Sequence, residues 1–153
     1  MSLVPAVGVL GSLLLTTVLA FAWARFSYAV ITVEGRSMSP TLAPGDRVVV
    51  RRGRGGARGN AVVVVREPRH GRGWAGNPPV RAGEAVSGTE WYVKRVVAVA
   101  GEPYPPALGR SGRVPPRHLA LLGDNVLSTD SREYGPCPEH QVLGVVVRRV
   151  GGE

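Results

Sequence analysis

The sequence predicts a mainly β protein: a compact antiparallel β core behind one N-terminal transmembrane helix. Three observations carry that prediction. The run Leu3 to Ala24 holds no charged residue. Short Val-, Ile- and Leu-rich runs follow it, punctuated by many of the chain's 21 glycines and 13 prolines. No long amphipathic helical period appears after residue 28.

The uncharged run is 22 residues long. As a helix it would extend about 33 Å, close to the roughly 30 Å hydrocarbon core of a bilayer. Phe21, Trp23, Phe26 and Tyr28 gather at its C-terminal end, as an interfacial aromatic belt does. A cleaved signal peptide would also use Ala20-Phe21-Ala22 or Ala22-Trp23-Ala24 as a small-x-small site. The start MSLVP carries no Lys or Arg, and the run exceeds the ~7–15 residues of a signal-peptide apolar region. A buried core helix would show a polar face, and this run has none. Residues 1–28 are therefore read as membrane anchor and interfacial segment, and 29–153 as the catalytic domain. Arg25, Arg36, Arg47, Arg51 and Arg52 follow the helix, which taken alone favours a cytoplasmic domain. Long domains translocate largely regardless of such charges, so this orientation signal is weak.

Strands are expected near Ala29–Val33, Arg47–Arg51, Ala61–Arg66, Trp91–Ala100, His118–Leu122 and Leu143–Val150. Pro44-Gly45-Asp46 reads as a turn before the second of these. Residues 67–90 and 101–117 are Pro-, Gly- and Arg-rich and read as loops.

The chain has 153 residues, 19 basic and 11 acidic, for a net charge of +8. That length excludes a large multidomain enzyme. One cysteine, Cys137, excludes an intrachain disulfide and a multi-Cys zinc site. The basic balance admits nucleic acid, anionic lipid or acidic partners. The run from Arg51 to Gly59 has no interleaved aromatic residue for base stacking, so a solvated hairpin is the favoured reading and no nucleic acid is expected.

Eighteen of the 19 basic residues are Arg; Lys94 is the lone lysine. Arg is never deprotonated at neutral pH, whereas a desolvated Lys can act as a base. On a strand, Tyr92, Lys94 and Val96 share one face, where desolvation is plausible. A surface lysine kept by chance is the bland alternative. Ser37-Met38-Ser39-Pro40-Thr41 follows the first expected strand, and a serine in a stiff loop beside free N–H groups can combine nucleophile and oxyanion hole. Gly35 permits close approach of a peptide backbone. Ordinary loop chemistry explains such a segment equally well when it stands alone. A third cluster, Gly123 to Gly135, packs hydroxyls, carboxylates and a guanidinium into a turn. Asp130 and Arg132 there are placed to pair, and Ser128 to hydrogen-bond an amine. Its spacing lacks the calcium-loop pattern.

Together these stretches resemble the bacterial type I signal peptidases and the related mitochondrial inner membrane peptidases. The matching residues are Gly35-Arg36-Ser37-Met38-Ser39-Pro40-Thr41-Leu42 with Gly45-Asp46, Tyr92-Val93-Lys94-Arg95-Val96-Val97 with Gly101-Glu102, and Gly123-Asp124-Asn125 with Ser128-Thr129-Asp130-Ser131-Arg132 and Tyr134-Gly135. Their order behind an apolar helix matches too. The resemblance implies a serine/lysine peptidase without cofactor or metal. Ser37 would be the nucleophile and Lys94 the general base, with Lys94 within about 3 Å of Ser37 Oγ. Ser128 would orient the amine, Asp130 and Arg132 would brace the third motif, and Met38 would pack. Ser39 competes with Ser37 for the nucleophile's role, and the family pattern favours Ser37. The expected partners are precursor proteins with small-x-small cleavage sites, and membrane lipid. The expected place is a single-pass protein of the cell membrane with its catalytic domain on the extracytoplasmic face.

Three departures from the family stand out. Only Val126 and Leu127 separate Gly123-Asp124-Asn125 from Ser128, a shorter spacing than many members have. Gly35 occupies a position where some relatives carry a hydroxyl, which leaves the second oxyanion donor unassigned. Residues 101–117 are too few for the large second domain of some relatives. A peptidase specialised for one or few partners, and a non-catalytic basic membrane-tethered binding protein, are the alternative functions. A self-cleaving repressor would need a helix-turn-helix region that this chain lacks before its core.

Overall fold

A computed structural model describes residues 4–88 and 90–151. Helix α1 (Val4–Ser27) runs directly into strand β1 (Tyr28–Thr32). Its segment Gly8–Ser27 is long and apolar enough to cross a membrane, and the rest of the protein buries none of it. Val9, Leu13, Leu14, Phe21 and Trp23 all stand exposed.

The remaining strands are β2 (Arg47–Arg52), β3 (Val62–Arg66), β4 (Trp91–Val99), β5 (His118–Leu122), β6 (Cys137–Pro138) and β7 (Val142–Arg149). They form one sheet in the order β1-β2-β7-β3-β4-β5-β6, and every neighbouring pair is antiparallel. All six expected strands are present within a residue or two. The sequence reading lacked β6 and a single helical turn, α2 (Ser131–Tyr134). The lone Cys137 lies in β6 and is fully buried.

Strand β3 explains how the sheet holds together. Its Val62-Val63-Val64-Val65 run lies between β4 and β7. Val63 and Val65 point into one apolar cluster with Val96, Leu119, Leu121 and Val142. Val64 points the other way, toward Val33, Met38, Leu42, Val48, Val50 and Val93. A strand buried on both faces reads as a continuous apolar run rather than as an alternation. Each fully buried valine contributes about 1.5 kcal/mol of transfer free energy. Gly144 of β7 lies so close to β2 that a Cβ there would overlap the Arg51 carbonyl, which fixes that position as glycine.

The segment 67–90 is anchored, despite its loop-like composition. Arg66 pairs with Glu84 and lies over the Trp91 ring at 5.0 Å. Asn77 Nδ2 donates to the Glu67 carbonyl at 2.9 Å. Buried Gln141 donates to the carbonyls of Asn77 and Pro78. Trp74 Nε1 donates to the Gly135 carbonyl at 3.3 Å, tying this segment to the third motif.

Candidate active site

The loop after β1 carries Ser37. Val33 N donates to the Asp46 carbonyl at 2.7 Å and Gly45 N to the Val33 carbonyl at 2.9 Å, so the loop's two ends are clasped. Gly35 turns the chain with φ +71°, a left-handed conformation that costs glycine nothing. Met38 is fully buried in the cluster that includes Val33, Leu42 and Val64. That anchor sets Ser37, half-buried, at the wall of a cleft of about 430 Å³. Lys94, Tyr92, Ser128 and Asn125 line the same cleft. Ser39, also half-buried, does not line it.

Lys94 sits in the middle of β4, paired in register with Val63 of β3. It is 3 % exposed. Its ammonium lies 4.9 Å from the centroid of the Tyr92 ring and donates to Ser128 Oγ at 2.6 Å. The bond to Ser128 is the one the sequence reading expected to orient the amine, and among the described residues no hydrogen bond joins the amine to Ser37 Oγ. Burial pushes the Lys94 amine down to about 8, with Asp130 opposing the shift and Arg132 adding to it. A cation taken out of water loses its hydration, and one hydroxyl does not replace it.

Ser128 is held by the turn that contains it. Asn125 Oδ1 accepts from Leu127 N at 2.9 Å, and the Asn125 carbonyl accepts from Ser128 N at 3.0 Å. Arg132 reaches back across this turn, donating to the carbonyls of Val126 at 3.1 Å and Ser128 at 3.0 Å. Its guanidinium also grips Asp130 at 2.9 and 2.8 Å. Asp130 caps α2 and accepts from Gly123 N at 2.9 Å. Burial alone would raise the Asp130 carboxyl, but the bonds from Arg132 and Gly123 hold it below the usual carboxylate range. The short spacing between the two halves of this motif is absorbed by the exposed Val126 and Leu127 at the tip of the turn.

Two links here escaped the sequence reading. Asn125 N donates to the Ser37 carbonyl at 3.0 Å, so the serine loop is fastened directly to the third motif. Gly123 lies at the crossing point: a Cβ there would collide with both Ser128 Oγ and the Ser37 carbonyl. Tyr92 is also braced, its hydroxyl donating to Glu67 Oε1 at 2.9 Å. On the far side of β4, Arg95 makes a bidentate pair with Asp124 at 2.8 and 2.6 Å. An Arg beside the Lys and an Asp beside the Gly were visible signals for that pair, though nothing local joins them.

The other titratable candidates lie outside the cleft. The Cys137 thiol is pushed up by burial and stays protonated. His70, His118 and His140 do not line the cleft.

A family model described as signal peptidase, peptidase S26, matches residues 7–103. The chain belongs to the signal peptidase family. No curated protein matches it. The matched stretch takes in α1, the Ser37 loop and the Lys94 strand, and ends before Gly123. The link from Ser128, Asp130 and Arg132 to the cleft therefore comes from their geometry around Lys94.

Proposed function

We propose that the protein is a membrane-anchored serine endopeptidase that removes signal peptides from secreted precursors by a Ser37/Lys94 dyad. The observation that carries this reading is the buried Lys94 amine, hydrogen-bonded to Ser128 in the cleft that Ser37 lines. Near pH 8 about half of such amines are neutral. Ser37 and Lys94 line one cleft, and catalytic hydrogen bonds often tighten only in the substrate complex.

In the first step neutral Lys94 takes the Ser37 Oγ proton while Oγ attacks the scissile carbonyl carbon. The carbonyl π electrons move onto oxygen, and the Ser37 backbone N–H stabilises that oxyanion. The C–N bond then breaks, and the Lys94 ammonium returns its proton to the leaving amine. Water, deprotonated by Lys94, releases the acyl group from Ser37 and restores both residues. Ser128 holds the amine in line throughout, and Asp130 with Arg132 holds Ser128.

The substrate would lie extended along the cleft and hydrogen-bond to its strand-like walls. Small side chains on either side of one outward residue fit the family's preference for small-x-small sites. Such precursors emerge on the outer face of the membrane, which is where we place the catalytic domain. The test is cleavage of a preprotein by the purified full chain. Ser37→Ala and Lys94→Arg are each expected to abolish cleavage. Arg keeps the charge and removes the base. Undiminished specific cleavage by both variants would reject the dyad.

A further inference from the structure

A second pocket, unrelated to the peptidase chemistry, opens where α1 meets the sheet. It measures about 310 Å³ and is lined by Arg25, Arg52, Tyr28, Val30 and the small residues Gly83 and Ala85. The register Tyr28↔Arg51 puts Arg52 at the end of the sheet nearest the helix. Trp23 and Tyr28 meet edge to face at a centroid distance of 6.2 Å beside it. Phe26 lies so close to Gly83 that a Cβ there would overlap the ring, so residues 81–88 and the helix end form one surface.

This pocket holds two guanidinium groups with too little negative charge to match them. Arg52 Nε donates to the Tyr28 carbonyl at 3.3 Å, which fixes the side chain. Its Nη1 is buried and has no hydrogen-bond partner among the described residues. Burial and the charge of Arg25 both push the Arg52 guanidinium down, and Glu84 opposes them. Glu84, however, is already engaged by Arg66 and by Arg81 N. Both arginines line the pocket, and two like charges sharing it repel. An anion between them would offset that repulsion. Arginines match phosphate oxygens in a forked geometry. The depth of the pocket decides the source: it sits at the aromatic end of an apolar helix, the level of lipid headgroups.

We propose that Arg25 and Arg52 clamp the phosphate of an anionic phospholipid at the foot of α1. The site orients the catalytic domain on the membrane surface by one bound headgroup. This goes beyond the peptidase reading, and its readout is binding, so it stands or falls apart from the Ser37/Lys94 dyad.

The experiment uses the full chain, delipidated in a non-ionic detergent and titrated with short-chain phosphatidylglycerol, phosphatidylcholine or inorganic phosphate. Bound lipid is counted by native mass spectrometry. One phosphatidylglycerol is expected to bind about tenfold more tightly than phosphatidylcholine. Arg52→Gln and Arg25→Gln should each remove that preference. Arg54→Gln, an equal charge change on the exposed connection between β2 and β3, which pair with β7 and not with each other, should leave it intact. Circular dichroism keeps misfolded variants out of the comparison. Equal binding of the two lipids overturns the proposal. So does equal loss with Arg54→Gln, which would mean diffuse charge attraction. Displacement of the lipid by millimolar inorganic phosphate would assign the pocket to a free anion and overturn the lipid source.

Discussion

The Lys94 ammonium donates to Ser128 Oγ at 2.6 Å from a side chain that is 3 % exposed. A lysine so placed has one fixed hydroxyl partner, an aromatic face and little water. The carboxylate that acts on it, Asp130, is spent on Arg132 and Gly123 N. The amine therefore gives up its proton close to neutrality, at about 8.

That shift sets the pH dependence of cleavage. In the proposed mechanism the neutral amine is the working form, so kcat/KM should rise tenfold per pH unit well below 8 and level off above it. A preprotein assay between pH 6 and 9.5 reads this directly. An acid limb that inflects near 6, where a histidine titrates, would assign the base elsewhere.

The same amine should make the fold less stable when charged. The unfolded chain holds the Lys94 proton up to its ordinary value of 10.5, and the folded protein releases it at about 8. Between those values the unfolded state binds more protons, so unfolding free energy rises with pH there. Below about pH 8 the full cost of the buried charge, on the order of 3 kcal/mol, weighs on the folded state. Lys94→Met keeps the volume and removes the charge. It should abolish cleavage yet raise stability at pH 7 by about 1–3 kcal/mol, less the hydrogen bond that Ser128 loses. Denaturant titration at pH 7 and pH 10 checks the sign, and a destabilised Lys94→Met protein at pH 7 would contradict the burial argument.

Asp130 works with the opposite sign. Its carboxyl is fully buried and held below the usual range, so its contribution is present above about pH 4 and is lost as pH falls through its folded value. Asp130→Ala leaves Gly123 N and the Arg132 guanidinium without their acceptor and should cost about 2–4 kcal/mol. Arg132→Lys retains the charge but not the fork that also reaches the Val126 and Ser128 carbonyls. It is expected to lower kcat more than it raises KM, because Ser128 and not the substrate loses its support. Steady-state kinetics on a peptide substrate separate the two.

The fold was readable where one local signal sufficed. Ala61–Arg66 announced a strand, and the uncharged run up to Ala24 announced α1. Lys94 stood out by composition alone. The brief elements β6 and α2 were not readable, because two and four residues carry no period. The segment 67–90 looked unstructured, since its order comes from distant partners: Arg66 with Glu84, Trp74 with Gly135, and Glu67 with Tyr92. The site shows the same division. Its residue types were legible as motifs, but the Asn125 bond to the Ser37 carbonyl joins segments that nothing local connects.

Gly123 tests how tightly those segments are joined. It is not in a left-handed conformation, so substitution there adds no backbone strain, and the whole effect comes from the space a Cβ would need. That space belongs to Ser128 Oγ and to the Ser37 carbonyl, neither of which is the free end of a long side chain. Gly123→Ala should push the two apart and cost about 1–3 kcal/mol, as overpacking does. A displacement of the hydroxyls by about 1 Å is enough to lower kcat about 100-fold. Gly55→Ala, where a Cβ meets open space, is the control and should change neither quantity. Full activity in Gly123→Ala would show that the serine loop and the third motif move independently, and the site would then not be the rigid assembly that its hydrogen bonds describe.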